Sequence, residues 1–362
     1  MARTIGRTPA PADLRGGRCH CPPGLPLHLV HSEAIRESCD FVVDAGSNVR
    51  GLGRKPWPPS KLGAAAASLG PGSTVHVKTD NLADFAREVL PALRSPIVLV
   101  TGDSDRSPVL RHRDLLGHPM IAHWFVQNCD LEGRHPRLTR IPIGIDNPVL
   151  TKLEKRLGFA ATALMGLTPA DWTATRNDMG DQAVLQDVRA RLAPSPDRPL
   201  RVLCTFHQNQ KLITPDISGM PDRREAFAAL SGRPWCHVPD QRLLQRECWE
   251  AHGQFAFEAS PQGNGLDCFR TWEALFLGTI PIVRRSTLNP LYEDESLPVA
   301  VVGSWEEVTP EALGDWHARL SPLFGPALDA RLCAGHWIGK IRASAKSVLE
   351  SAGGTAAGAA GR

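Results

Sequence analysis

An arginine and a glutamate three residues apart, Arg270 and Glu273, follow a turn that reads Ser260-Pro261-Gln262-Gly263-Asn264-Gly265-Leu266-Asp267. A guanidinium meets a phosphate with charge and a fork of N–H donors, and a carboxylate accepts from hydroxyls. On a helix that spacing puts both on one face. Gly263 and Gly265 free the backbone to turn tightly and to let a ligand come close. Ser260 and Asn264 add polar groups, and Asp267 is expected to cap a helix over about 268–277, with Gly278 as its terminator. The unpaired N–H groups and dipole at such a helix start favour an anion. A phosphate-bearing ligand is the expectation. The structural alternative is a turn followed by an Arg270–Glu273 pair, with Phe269, Trp272 and Phe276 on the opposite face packing on a sheet.

Other constellations bear on the same question. Gly263-Asn264-Gly265-Leu266-Asp267-Cys268 matches a dinucleotide G-x-G-x-x-G fingerprint except at Cys268, and Arg284-Arg285 stand where an NADP phosphate reader would lie. An NADP-dependent oxidoreductase therefore stays as an alternative, and a non-catalytic carbohydrate- or partner-binding protein as another. Asp103-Ser104-Asp105, after an apolar run, suits a general base or a divalent cation held against a diphosphate, or merely a loop of turn formers. Arg223 and Arg224 open a helix after Phe206-His207 and could clamp a diphosphate, or could be solvated. Cys19-His20-Cys21 with His28, His31 and Cys39 resembles a zinc set, but one residue separates the paired cysteines where zinc sites use two to four, so no metal site is assigned.

These residues need elements to hold them. Thr74–Lys78 and Pro96–Thr101 read as buried strands, with a helix over 84–93 between them, and Ile121–Asn128 and Leu138–Ile143 as further strand segments. Residues 150–198 read as mainly helical, with a Pro-rich end at 193–196. A second series then runs strand 200–206, helix 222–230, strand 235–238, helix 241–252, strand 255–260, the turn and helix above, strand 280–283 and strand 297–302. Thr309-Pro310-Glu311 marks another helix start. Alternating strands and helices imply doubly wound α/β layers. The expected division is an arm at 1–35 with disorder-prone composition, an α/β domain at 36–195, a second at 196–350, and a frayed Gly/Ala-rich tail at 351–362.

Composition bounds the class. The 362 residues, 42% hydrophobic and 22% charged, suffice for about two domains. A net charge of +3 gives no case for nucleic acid. Nine cysteines at irregular spacing suit reduced thiols in a cytoplasmic protein rather than a disulfide framework. No apolar run reaches the ~18 residues of a membrane span, which leaves at most peripheral membrane contact.

The block Ser260-Pro261, Gly263-Asn264-Gly265-Leu266-Asp267, Arg270-Thr271-Trp272-Glu273-Ala274-Leu275, Gly278 and Ile280-Pro281-Ile282-Val283 resembles the nucleotide-sugar domain of exostosin-type glycosyltransferases, closest to the C-terminal domain of ribitol xylosyltransferase-like proteins. Leu297-Pro298-Val299, Trp305 and Val308-Thr309 continue the likeness, which covers roughly 200–320. It implies two facing Rossmann-like domains (GT-B) and inverting sugar transfer from a nucleotide diphosphate donor to a hydroxyl of a glycan or other acceptor, without a required cofactor. Arg270 would then neutralise the diphosphate, with Arg223 or Arg224 assisting, and Glu273 would accept from ribose or donor-sugar hydroxyls. The base for the acceptor proton is expected from Asp103 or Asp105, with Asp44 and Asp80 behind them. The chain departs from the family's small polar residue or histidine ahead of Arg270, having Cys268 and Phe269, and it shows no counterpart of the animal enzymes' membrane anchor.

Overall fold

The computed structural model describes residues 29–43, 63, 66–145, 180–207, 222–241, 243 and 245–359. The Cys19-His20-Cys21 cluster, His28, Asp44 and most of the expected helical stretch 150–198 lie outside them. In chain order the strands are β1 (Phe41–Val43), β2 (Thr74–Lys78), β3 (Ile97–Gly102), β4 (Ile121–Val126), β5 (Leu138–Arg140), β6 (Val202–Leu203), β7 (Cys236–His237), β8 (Phe257–Ala259), β9 (Ile280–Arg284) and β10 (Ala300–Val302). The helices used below are α1 (Ser32–Glu37), α2 (Gly180–Arg191), α3 (Asp222–Leu230), α4 (Gln245–Ala251), α5 (Phe269–Phe276), α6 (Pro310–Leu320) and α7 (Ala334–Ala359). The fold is mixed α/β, with two five-stranded parallel sheets in two compact units.

The first unit draws its described residues from 29–43, 63–143 and 333–359. Its strands lie in the order β1-β2-β3-β4-β5, all parallel. Every residue of β3 is buried, as a central strand covered on both faces must be. Alternation sends Val75, Val77, Ile97 and Leu99 into a core with Phe85, Val89, Leu115 and Trp124. Val98 and Val100, fully buried too, take the other face, and there α7 packs against β2, β3 and β4 and against α1.

That packing changes the expected division. Residues from 333 onward belong with the first unit, whereas the sequence reading ran the second domain to 350. Trp337 and Ile341 of α7 are buried, Leu29 bridges to Cys333, and Arg342 pairs with Asp40 at 3.0 Å. The helix continues to Ala359, through most of the expected tail. At the other end, 29–35 is built into the fold rather than left as an arm: His31 Nδ1 accepts from Ala34 N at 3.3 Å and caps α1. Cys39 is buried, and burial pushes its thiol up to about 12. Both of these members of the sequence cluster therefore have structural roles.

The second unit spans Gly144–Leu332 in its main segment. Its parallel strands run in the order β10-β9-β8-β6-β7. Phe257, Ala259, Ile280, Ile282, Ala300 and Val302 form its core with Ala226 and Leu230 of α3 and Leu313 of α6. Thr309 caps α6 by accepting from Ala312 N, with Pro310 in the first turn. Gly278 follows α5 at φ +78°, the left-handed geometry its terminator role needs.

Candidate functional site

The strand order of the second unit reverses once. From β6 the chain moves outward to β7, returns past β6 to β8, and continues the other way through β9 and β10. Neighbouring strands β6 and β8 therefore flank a switch point, and in open parallel sheets ligands bind outside the carboxyl ends of such strands. Those ends are Cys204-Thr205-Phe206-His207 and the Ser260–Asp267 turn. The stretch singled out from sequence lies at one of these two strand ends.

Helix α5 starts there, though not as expected. Its N-cap is Cys268, with φ −147°, ψ 134° and no side-chain cap bond. Asp267 faces inward instead, accepting from Trp272 Nε1 at 2.9 and 3.0 Å and from Cys268 N at 2.8 Å. The buried indole N–H of Trp272 needs an acceptor, and this need outweighs capping. So α5 begins with no capping side chain, no acid in its first turn, and a cation, Arg270. A cation at a helix N-terminus costs roughly 0.3–1 kcal/mol, and a bound anion would reverse that sign.

Arg270 is held from several sides. Its side chain is 18% exposed, with Nε 3.6 Å from Glu258 Oε1 and one terminal nitrogen 3.3 Å from Cys268 Sγ. That nitrogen also reaches Pro261 O at 3.5 Å, and the guanidinium lies over the Phe206 ring at 5.9 Å. Burial works against its charge, but Cys268, Glu258, Cys248 and Glu273 outweigh that and raise its pKa. Glu273, half-buried, accepts from Trp249 Nε1 of α4 at 2.8 Å. Ser260 and Thr271 share a hydroxyl hydrogen bond of 2.9 Å, tying the turn to the first turn of α5. Phe269 is half-buried, while Trp272 and Phe276 are in the core.

The turn is stapled to the start of α3. Asp222 accepts from Gln262 N at 2.8 Å and from Trp305 Nε1 at 2.7 Å, and burial raises its pKa in spite of these bonds. Arg223 donates from Nε to Gln262 O at 2.9 Å and from a terminal nitrogen to His207 O at 3.4 Å, so it joins both strand ends of the crevice. Arg224, proposed beside it, is exposed at the next position of the helix. Asn264 is exposed at the tip of the turn. Gly263 does not take a positive φ, and a Cβ there would come no closer than 3.5 Å, to Asp267 O. The fold therefore does not require glycine at 263.

Arg284, the candidate NADP reader, is engaged by Glu225 of α3 and lies 3.8 Å from Asp222. Arg285, the other arginine of that sequence pair, is exposed.

Asp103 and Asp105 belong to the first unit, in a loop at the carboxyl end of β3. Asp103 takes φ +55° and Asn128, after β4, takes φ +50°, conformations that cost a non-glycine residue. The loop is held by Gln127, whose Oε1 accepts from Asp103 N at 2.9 Å, and by Asn128, which donates to Ser104 O at 2.8 Å. Arg106 pairs with Asp80 at 2.9 Å.

Glu258, the lone acid of β8, is wholly buried and points into the crevice cluster, 2.5 Å from Thr205 Oγ1 and 2.9 Å from His252 Nε2. A carboxyl within an apolar strand was the available signal, but apolar residues on both sides removed the alternation that would have shown its direction. Cys248 of α4 lies in the same cluster, and burial reinforced by Glu258 pushes its thiol up to about 12.

No protein-family model and no curated protein matches the chain. Among the described residues no helix is long and apolar enough to cross a membrane.

Proposed function

We propose that the chain is a glycosyltransferase whose second unit binds a nucleotide-sugar donor at the β6–β8 switch point. The observation that carries the reading is the start of α5: an uncapped helix N-terminus with Arg270 in its first turn, beside a glycine turn, at the edge where a parallel sheet binds ligands. The α5 N-terminus and Arg270 stabilise the diphosphate as it departs, assisted by Arg223, and this is where charge develops in sugar transfer. Glu273 accepts from donor hydroxyls, oriented by the Trp249 indole. For the acceptor proton, Asp103 and Asp105 are the proposed carboxylates. Inversion at the anomeric carbon and the facing-domain GT-B arrangement belong to the same proposal, as does a glycan or other hydroxyl acceptor.

A melting-temperature panel tests it. Nucleoside diphosphates and nucleotide sugars should stabilise the protein by mass action, and NADP should not. Glu273→Ala should abolish transfer while the fold persists. Stabilisation by NADP alone, lost on Arg284→Ala, would instead establish the oxidoreductase, and a flat response to every nucleotide would leave a non-catalytic binding protein.

A further inference from the structure

Behind Arg270 a chain of buried polar groups runs through the second unit with no ligand-binding task of its own. Arg198, 5% exposed, donates to Ala193 O at 2.8 Å, Leu277 O at 2.6 Å and Thr279 Oγ1 at 2.7 Å. Thr279 Oγ1 lies 3.0 Å from His252 Nδ1, and His252 Nε2 lies 2.9 Å from Glu258 Oε2. Arginine can only donate to Thr279, so the threonine's own O–H is free to donate to Nδ1. His252 Nε2 abuts Glu258 Oε2 on its other side, and that buried oxygen makes no hydrogen bond, so the imidazole meets it as a close contact rather than as a donor. The other oxygen, Oε1, takes the Thr205 hydroxyl at 2.5 Å and faces Arg270 Nε at 3.6 Å.

We infer that Glu258 is a positioning residue: its buried carboxyl, fixed by Thr205 on one side and by the His252–Thr279–Arg198 chain on the other, holds the Arg270 guanidinium in place at the start of α5. This rests on the donor-site reading above and adds to it how the diphosphate-binding arginine is pre-oriented. An acid this close to a cation also competes with any incoming anion, so its presence needs a reason. Pre-orientation is that reason, because a flexible arginine loses rotamer freedom when it binds and a fixed one does not.

The two roles give opposite signs. If Glu258 merely offsets charge, Glu258→Gln removes a competitor and uridine diphosphate binds more tightly. If Glu258 positions Arg270, binding weakens by about tenfold or more, within the range that misplaced groups cost. Glu258→Asp separates reach from charge: it retains an acid but is one methylene short, and positioning requires that it too weaken binding. Titration calorimetry with uridine diphosphate reads all three proteins. A ligand-free readout runs beside it, the Arg270 Nε–Hε NMR signal, assigned by its loss in Arg270→Lys. That signal should be sharp and slowly exchanging in the wild type and broadened in both Glu258 variants.

Tighter binding by Glu258→Gln, or an unchanged Arg270 signal in the variants, overturns the inference. Wild-type protein that binds no uridine diphosphate while Arg270 still loosens in the variants would count against the donor reading and leave the positioning role standing. Should the Glu258 variants fail to fold, Thr205→Val removes only one of the carboxyl's partners. It should loosen the Arg270 signal in the same way, and an unchanged signal there overturns the inference as well.

Discussion

Acidification should destabilise the first unit through His76. His76 lies on β2, 2% exposed, and its Nδ1 has no hydrogen-bond partner. Burial, reinforced by the positive charges of Arg36 on α1 and Lys78 on its own strand, lowers its pKa from 6.5 to about 3. The imidazole is therefore kept neutral in the fold and titrates freely once the chain unfolds. Between those two values the unfolded state binds more protons than the native one, so stability falls as pH falls, beginning near 6.5 and continuing down to about 3. Integrated from about pH 7 to about pH 5, the linkage amounts to roughly 2 kcal/mol. His123, lowered to about 4 by burial and by Arg137 and His135, acts in the same direction, so the wild type alone does not isolate His76. The comparison that does is with His76→Leu, which deletes the titrating group and its unpaired nitrogen. Hydrogen–deuterium exchange of peptides from β2 to β4, at both pH values, gives the opening free energy of this sheet. The variant should lose about 2 kcal/mol less than the wild type over that interval. Equal losses in the two proteins would refute the reasoning.

Three further outcomes are expected. Gly263→Ala should leave the melting temperature in place, since its Cβ meets only ordinary contacts, yet lower nucleotide-sugar binding or turnover about tenfold or more; unaltered turnover would remove the turn from the site. Gly102→Ala should destabilise the first unit by about 1–3 kcal/mol in urea unfolding. There the new Cβ would lie 2.3 Å from Gln127 Oε1, and Gln127 is fixed by Pro142 O and Asp103 N; an unshifted midpoint would contradict the packing argument. Arg198→Met should cost the second unit about 2–5 kcal/mol by leaving the carbonyls of Ala193 and Leu277 and the Thr279 hydroxyl without their donor. A variant as stable as the wild type would show the buried chain to be idle.

Local pattern made much of this legible. Strand Thr74–Lys78 and helix Asp222–Leu230 appear with the bounds read from sequence, and the Thr309 cap and Gly278 terminator follow from residue type and position. What was not legible depends on partners distant in the chain. Asp267 looked like a cap because the competing donor, Trp272 Nε1, becomes relevant only when the indole is buried. The direction of Glu258 depended on His252 and Thr205 converging on it. The placement of α7 required knowing that one face of the first sheet lacked a cover. The switch point itself depends on β8 pairing with β6 rather than β7, and no stretch of sequence shows that.

The placement of α7 also has a consequence for how the chain is made. The residues that cover the β2–β4 face leave the ribosome only after the whole of the 144–332 segment. During synthesis Val98 and Val100 wait with one face of their sheet bare, while the second unit already has nearly all its sequence. Of the two units, the one begun first is completed second. A nascent chain stopped shortly before residue 333 would carry a finished β6–β10 sheet behind an open one.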